Sequence, residues 1–178
     1  MIGITVEKAH GEYDPGTSKF FGAPTMPEDW LVDGTVKDED FFFCQLKLSE
    51  FKSYDKNGLL PQVGFIYIFL TFDNGNFIPN IRYSNTEPDT LIDDFNTGFD
   101  FLGNTDTEYS IDYFEGPEAE DGTAILLEEN DTIILLRYDP LDDNMPSFLA
   151  DTEKMAYISI NKPDLKNLDF TNAQFYIK

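Results

Sequence analysis

The stretch at residues 64–83, GFIYIFLTFDNGNFIPNIRY, constrains the fold of this chain more than any other. Its first ten residues are rich in aromatic and β-branched side chains, a composition that favours a strand. The Asn74-Gly75 pair follows, and a type I′ hairpin turn favours such a pair because both of its central residues adopt a positive φ. We therefore predict a hairpin in which residues 64–73 return as residues 77–83. Pro79 predicts that the return strand is an edge strand or carries a bulge.

Strand patterns also dominate the rest of the chain, and helical patterns are scarce. Short helices are predicted only at residues 48–53, 87–96 and 162–170, the last with a proline in its first turn. The chain has 178 residues and no linker, so we predict a single domain over residues 1–178. Its predicted class is α+β, mostly antiparallel β sheet with few short helices. The further predicted strands are Ile2–Val6, Phe41–Leu48, Tyr109–Phe114, Ala124–Glu128, Thr132–Tyr138, Ala156–Ile160 and Ala173–Ile177. The predicted core and near-core residues are Phe20, Phe43, Leu46, Phe65, Tyr67, Phe69, Leu135, Tyr157 and Phe175.

An offset of 90 residues brings two parts of the sequence into similarity. At this offset QLKL at 45–48 falls on LLRY at 135–138, and FIYI at 65–68 falls on MAYI at 155–158. Three inserted residues then bring Tyr83 onto Tyr176. One interpretation is an internal duplication of about 41–83 and 131–178, which gives two related structural halves. The other interpretation is chance similarity among apolar strands, and both stay open at this point.

The net charge of the chain restricts the classes of partner that it is expected to bind. Twelve Lys and Arg stand against 34 Asp and Glu, which gives a formal charge of −22. A surface this negative repels phosphate backbones and anionic lipids, so we expect no nucleic acid and no membrane partner. Basic proteins would be attracted, although charge of this sign also serves solubility. The segment from Tyr83 to Leu136 carries 15 Asp and Glu and no Lys or Arg.

The N-terminus and the single cysteine bear on the compartment. The chain opens with MIGITVEKAHGEYD, which has neither a basic region nor a long apolar region typical of a signal peptide. Cys44 is the only cysteine, so no intramolecular disulfide forms and no oxidising compartment is required. We predict a cytoplasmic protein. The sequence does not predict an oligomeric state.

No motif for phosphate binding or covalent catalysis is complete. The GTSK letters at 16–19 have the wrong order for a phosphate-binding loop, and two phenylalanines follow where a helix should begin. His10 is the only histidine, and Cys44 lies within an apolar strand, where a thiol is typical of packing. We therefore name no catalytic residue and no cofactor, and a non-enzymatic protein is favoured over an enzyme.

Metal binding is weakly indicated. Zinc is disfavoured by the single His and single Cys. The loop DKNG at 55–58 resembles the start of an EF-hand, but Gly58 occupies its fourth position and not its sixth. The acidic run DPLDD leaves Asp139, Asp142 and Asp143 as weak candidates for a divalent ion, and the spacing of Asp106 and Glu108 offers another. The alternative interpretation is a solvated acidic loop, which we favour, so no metal site is predicted.

The order of several motifs resembles the YwqG-like proteins, a bacterial domain family of unknown function. SKFFGAPTMPEDW at 18–30 resembles their S-K-x-G-G-x-P-x-x-P signature, and FFFCQLKLSEF at 41–51 resembles F-x-x-Q-[IL]-x-L-x-[ED]. LLPQVGFIYIFLTFDN at 59–74, TIILLRYDPLDD at 132–143 and the closing stretch from residue 153 follow in family order. The resemblance covers about residues 18 to 178. It implies an α+β domain that consists mostly of β structure, and it supplies no substrate or cofactor.

Departures from the family pattern fall on three motifs. Phe21 replaces the first glycine of the G-G pair, while Gly22 keeps the second. Arg137 and Tyr138 stand where glutamine and a small apolar residue are usual, and Asp139 keeps the aspartate. The family's W-G-D-x-G is reduced to LADTEK, with Asp151 as its remnant. If that motif serves a shared activity, this chain lacks it.

Two classes of function remain. The first is a non-enzymatic interaction protein that presents an acidic face to a basic protein partner, in the manner of an immunity protein or antitoxin. The second is a small-molecule or metal-binding domain with its site at a ligand loop formed by Lys19, Gly22, Gln45 and Asp139. The interaction protein is favoured by the acidic segment, which contains no Lys or Arg, and by the missing catalytic motifs.

Overall fold

The computed structural model describes residues 1–10, 14–88, 90–99, 102–103, 105–116, 122–143, 145–146, 148 and 153–178. Within these residues the chain forms twelve strands and three short helices. The strands are β1 Ile2–Lys8, β2 Lys19–Phe20, β3 Thr25–Met26, β4 Asp40–Lys47, β5 Phe65–Asp73, β6 Asn76–Ser84, β7 Thr90–Leu91, β8 Tyr109–Glu115, β9 Ala124–Glu129, β10 Thr132–Tyr138, β11 Ala156–Asn161 and β12 Gln174–Ile177. The helices are α1 Asp29–Val32, α2 Leu48–Phe51 and α3 Lys162–Lys166.

Ten strands form one sheet, in the order β12-β11-β10-β9-β1-β8-β2-β4-β5-β6. Each of its pairings is antiparallel. The sheet curls until its two edges approach each other, since the rings of Phe77 on β6 and Phe175 on β12 lie 5.0 Å apart. The predicted antiparallel β architecture is confirmed. The protein is more dominated by β structure than α+β implies, because its helices span only four or five residues.

The predicted hairpin is present as β5 and β6. Asn74 and Gly75 adopt φ values of 49° and 82°, as a type I′ turn requires. β6 is the last strand of the sheet, so the prediction from Pro79 of an edge strand is confirmed. A proline has no N–H to donate, and an edge strand leaves one side of its backbone without a partner strand.

The three helix predictions meet two different outcomes. The helices at 48–53 and 162–170 form, but each is shortened to a single turn as α2 and α3. The helix predicted at 87–96 is wrong, because β7 pairs with β3 there and turns follow at 93–98. The backbone there is also held by the residue before β3, since the N–H of Ile92 donates to the carbonyl of Pro24 at 2.9 Å. Tertiary contact outweighs the weak local helical pattern.

The core has an inner and an outer layer around β4 and β5. The concave inside of the sheet is filled by one large apolar cluster that includes Leu46, Ile66 and Ile68. The opposite face of β5 packs Tyr67 and Phe69 into a second cluster. Residues 26–36 and 92–95 cover this second face. β5 is therefore buried on both faces, which explains its near-continuous apolar sequence.

The predicted core is largely confirmed. Seven of the nine predicted residues are buried, and Phe175 is half-buried against the inner cluster. Tyr157 is partly exposed and stacks on Tyr176 with ring centroids 5.1 Å apart. None of the three described helices is long or apolar enough to cross a membrane.

Gly64 provides a test of the entry to β5. Its φ is +94°, and an added Cβ would lie 2.4 Å from the carbonyl oxygen of Ser84. We expect Gly64→Ala to lower the free energy of unfolding by more than the roughly 1–2 kcal/mol that a left-handed conformation costs an L-residue. Gly58→Ala is the matched control, since its φ is +58° and nothing lies within 4 Å of its added Cβ. Urea denaturation measures both, and equal losses would contradict the steric explanation.

Candidate functional site

Gln45 holds the segment that carries the SKFFGAPTMP signature. Its side chain is fully buried on β4, and its Nε2 donates to the carbonyls of Thr17 and Pro15 at 2.8 and 3.1 Å. Its Oε1 accepts the N–H of Thr25 at 2.9 Å. A buried amide with both ends satisfied fixes what it binds, because each broken bond leaves a desolvated polar group. The segment is therefore held against the sheet at two points.

Lys19 lies next to Gln45 in the sheet and is also fully buried. Its Nζ lies 3.2 Å from a carboxylate oxygen of Glu108 and 3.5 Å from the hydroxyl of Thr25. Burial lowers the pKa of Lys19 to about 8, against the opposing attraction of the Asp14 carboxylate. Burial also raises the pKa of Glu108, which the N–H of Ala23 partly offsets. The lysine thus pairs with a carboxylate that lies 89 positions away in the sequence.

Gly22 fits against the same carboxylate side chain. Its φ is +69°, and an added Cβ would lie 2.0 Å from the Cγ of Glu108. Phe21 beside it also has a positive φ, of 56°, and its ring packs in the inner cluster. The turn therefore directs Phe21 into the core while Gly22 lets Glu108 reach Lys19. Three of the four predicted loop residues, Lys19, Gly22 and Gln45, meet at this place.

Asp139 lies elsewhere. It follows β10, which β9, β1, β8 and β2 separate from β4 in the sheet. Its carboxylate accepts the N–H groups of Gly122 and Leu141 at 3.2 and 2.9 Å. With Arg137 and Asp142 it lines a concavity of about 330 Å³. The side chains that the sequence grouped around one ligand loop therefore occupy two places.

The weak metal candidates do not form a ligand set. Among the described residues, no group of three or more His, Cys, Asp and Glu is arranged to hold a metal ion, and Asp139, Asp142 and Asp143 are all described. Asp151, the remnant of the W-G-D-x-G motif, lies outside the described residues. Cys44 is buried, and burial raises the pKa of its thiol well above the ordinary value. That shift opposes the thiolate form that a nucleophile needs.

An acidic concavity opens beside Gly22 and Glu108. It measures about 330 Å³ and is lined by Gly22, Ala23, Asp93, Asp94, Phe95, Asn96, Thr97, Asp106 and Glu108. Four of these nine residues are carboxylates and none is basic. Asn96 fixes one wall, because its buried amide exchanges two hydrogen bonds with the backbone of Phe42. We refer to this place as the acidic concavity.

The sequence indicated the acidic segment but not the concavity. Residues 83–136 were marked by their 15 carboxylates and their lack of Lys and Arg. Which carboxylates converge depends on the turns at 93–98 and on the contact of Glu108 with Gly22, and neither leaves a periodic pattern. A scan against models of known protein families finds no match, and a search of curated proteins finds no relative.

The shifted pKa of Lys19 predicts a pH dependence of stability. Folded Lys19 titrates near pH 8 against the ordinary value of 10.5, so between these values the unfolded chain binds more protons. Stability contributed by this group therefore rises as the pH increases from 8 to 10.5, by at most about 3 kcal/mol. We expect the difference in unfolding free energy between wild type and Lys19→Met to move in favour of wild type across this window.

Chemical denaturation at several pH values measures this difference. Lys52→Met is the control, because it removes an exposed lysine from the surface after α2. Parallel pH profiles for wild type and Lys19→Met would contradict the assignment of a buried, destabilised charge.

Proposed function

We propose that this protein is a non-enzymatic interaction protein whose acidic concavity binds a cationic side chain of a basic protein partner. The observation that carries the proposal is the convergence of Asp93, Asp94, Asp106 and Glu108 around one concavity without a basic lining residue. A concave surface of one charge sign concentrates the electrostatic potential and attracts groups of opposite charge. An arginine or lysine side chain entering there would be surrounded by carboxylate acceptors.

The ion pairs of the described residues support this location. Three carboxylates of the acidic segment are paired with lysines from outside it: Glu87 with Lys47, Glu115 with Lys56 and Glu128 with Lys162. At the concavity, Glu108 pairs with the buried Lys19. Within the described residues, no ion pair reaches Asp93, Asp94 or Asp106, and all three side chains are exposed. The segment thus retains uncompensated charge at this place.

The proposal predicts loss of partner capture on neutralising the concavity. The variant Asp93→Asn, Asp94→Asn, Asp106→Asn should retain less than about a tenth of the basic protein that wild type captures from host lysate at low salt. Asp94 has a positive φ of 56°, a conformation that asparagine also tolerates. Capture should also fall as salt rises, because screening weakens exposed charge pairs.

The control for this experiment removes the same three charges elsewhere. Asp38→Asn, Glu39→Gln and Asp73→Asn alter three exposed carboxylates outside the concavity. We expect this variant to capture the partner as wild type does, apart from a small general effect of net charge. Equal loss in both variants would show that net charge alone attracts the partner, and would overturn the assignment to the concavity.

We also propose that the sheet consists of two related structural halves. The first comprises β1, β2, β4, β5 and β6, and the second β8, β9, β10, β11 and β12, with β1 and β8 pairing at the centre. The antiparallel pairing of β1 with β8 permits this arrangement, because Thr5 stands opposite Asp112 midway between the end pairs Ile2–Glu115 and Lys8–Tyr109. Exchanging the two strands about that midpoint reproduces the same pairs.

Register and backbone conformation correspond on either side of that centre. In the first half Phe20 pairs with Cys44, and in the second half Ile125 pairs with Leu136 in the same way. Cys44 and Leu136 each come directly after a register irregularity in their strand. The residues after Phe20 and Ile125 are Phe21 and Leu126, with unusual positive φ values of 56° and 54°. β4 thus corresponds to β10 at an offset of 92 residues, and β2 corresponds to β9 at an offset of 105 residues, rather than at one constant offset.

Three hydrogen bonds recur at corresponding positions. The hydroxyls of Ser18 and Thr123 accept the N–H of Lys47 and Asp139 at 2.8 and 3.0 Å. Their carbonyls accept the N–H of Ile111 and Ile4, both at 3.1 Å. The side chains of Gln45 and Arg137 donate to the carbonyls of Thr17 and Gly122 at 2.8 and 2.7 Å. Recurrence of side-chain and backbone bonds favours duplication over chance similarity of apolar strands.

The duplication predicts matched effects of removing the two hydroxyls. Ser18→Ala and Thr123→Val each leave a backbone N–H without its acceptor, so each should cost about 1–3 kcal/mol of unfolding free energy. Ser18 and Thr123 are both buried, which makes their environments comparable. Urea unfolding of the two variants measures the losses. A loss at one position and none at the other would contradict equivalent structural roles.

The family resemblance and the cytoplasmic location stay predictions. The signature residues Ser18, Lys19 and Gly22 and the motif residue Gln45 all serve to hold one segment on the sheet. This clustering supports the YwqG-like assignment as a shared scaffold, since separate motifs of a family are expected to meet in space. It also supports a structural role for the signature over a ligand-binding role.

A further inference from the structure

The chain contains two Asn-Gly pairs, Asn57-Gly58 and Asn74-Gly75. Asparagine is chemically labile, and it loses its side-chain amide most readily when glycine follows. Glycine has no Cβ, so little hinders the attack of its backbone nitrogen on the Cγ of the asparagine. The local sequence therefore favours the reaction at both places. The fold holds the two pairs differently, and this difference decides which of them reacts.

Hydrogen bonds hold the loop that contains Asn57 and Gly58. The N–H of Gly58, whose nitrogen would attack, donates to the carbonyl of Asp55 at 3.2 Å. The side-chain amide of Asn57 donates to the carboxylate of Glu128 on β9. The carboxylate of Asp55 accepts the N–H groups of the two residues after Gly58, both at 3.0 Å. Several of these contacts must break before the Cγ of Asn57 can reach the nitrogen of Gly58.

The second pair forms the tip of the hairpin between β5 and β6. Residues 73–76 are all exposed. Asp73 pairs with Asn76 across the turn, and within the described part of the chain no hydrogen bond reaches the N–H of Gly75. The side-chain amide of Asn74 donates to the carboxylate of the adjacent Asp73 at 2.8 Å, so this contact lies within the turn itself. No contact to another element has to break for Asn74 to rearrange.

The tip also lies where local opening costs least. β6 is the last strand of the sheet, and exposed turns with few packed neighbours open with the lowest free energies in a folded protein. The closed turn holds the backbone of Asn74 at a φ of 49°. Opening of the tip releases this backbone, so that the Cγ of Asn74 can approach the nitrogen of Gly75. The reaction therefore proceeds from the opened tip while the rest of the sheet stays folded.

We propose that Asn74 is a site of spontaneous deamidation in the folded protein and that the fold protects Asn57. The backbone nitrogen of Gly75 forms a bond to the Cγ of Asn74, and the bond from Cγ to Nδ2 breaks. The departing amide takes the proton of the Gly75 N–H and leaves as ammonia, so that a succinimide ring remains. Water then opens this ring at either carbonyl, which gives aspartate or isoaspartate. The only co-reactant is water.

The two products differ in their effect on the hairpin. Aspartate also tolerates a positive φ, so it keeps the turn and adds a negative charge beside Asp73. Isoaspartate lengthens the main chain by a carbon atom, and the length of a hairpin loop fixes the register of its strands. Isoaspartate at position 74 therefore disrupts the pairing at the end of β5 and β6. The modification acts on the edge of the sheet and is independent of the partner proposed for the acidic concavity.

Incubation of the purified full-length protein at mildly alkaline pH tests the proposal, because hydroxide promotes the attack of the backbone nitrogen. Peptide mass spectrometry follows the conversion of each asparagine, and an isoaspartyl methyltransferase assay quantifies isoaspartate. We expect Asn74 to convert at least about tenfold faster than Asn57 in the folded protein. In urea the two rates should lie within about threefold of each other, since unfolding removes the contacts that distinguish the two pairs.

Two results would overturn the proposal. One is conversion of Asn57 at a rate equal to or above that of Asn74 in the folded protein. The other is an Asn74 that stays unmodified while the chain in urea is converted, which would show that the closed turn blocks the reaction.

The variant Glu128→Ala tests the protection of Asn57. It removes the acceptor of the Asn57 amide, so we expect conversion of Asn57 to become at least about threefold faster while Asn74 keeps its rate. Glu129→Ala is the matched control, because it removes the neighbouring exposed carboxylate, which stands opposite Thr132 on β10. Urea unfolding confirms that both variants are folded. An unchanged rate at Asn57 in Glu128→Ala, or equal acceleration in both variants, would contradict protection by this contact.

Discussion

A single buried amide on β4 ties the outer layer of this protein to its sheet. Gln45 holds the carbonyls of Thr17 and Pro15 and the N–H of Thr25, and any of these bonds left unmade would cost about 1–3 kcal/mol. Because the segment is fixed there, Lys19 is buried beside it and pairs with Glu108. That pair in turn sets one wall of the acidic concavity. The place where carboxylates converge thus depends on a residue that carries no charge.

The distribution of cations gives this concavity its character. With 12 basic residues against 34 acidic ones, each lysine position decides which carboxylates are neutralised. Lys47, Lys56 and Lys162 compensate other parts of the acidic segment, and Lys19 is withdrawn into the interior. The concavity retains the field that would attract a basic partner, and salt screening would weaken that attraction.

Divergence between the proposed halves would lie in the connections after β2 and β9. Residues 21–39 follow β2 and fold back over Gln45 and Tyr67, whereas only Asn130 and Asp131 join β9 to β10. At corresponding positions of β4 and β10, Gln45, which donates and accepts, is exchanged for Arg137, which only donates. Both side chains are buried and bind a carbonyl of their own half, so the same backbone register supports the same kind of contact with different side chains.

The sequence by itself determined the nine longer strands but not the two-residue strands β2, β3 and β7, because alternation of apolar residues and turn chemistry such as Asn74-Gly75 act over a few residues. It also located the acidic segment and the scaffold residues Lys19, Gly22 and Gln45. The tertiary structure alone decided that residues 87–96 pair with β3, that Asp139 lies four strands away from the loop it was grouped with, and that Glu108 meets Lys19. These contacts join residues up to 89 positions apart. Long-range packing fixes them, and local pattern carries no signal of it.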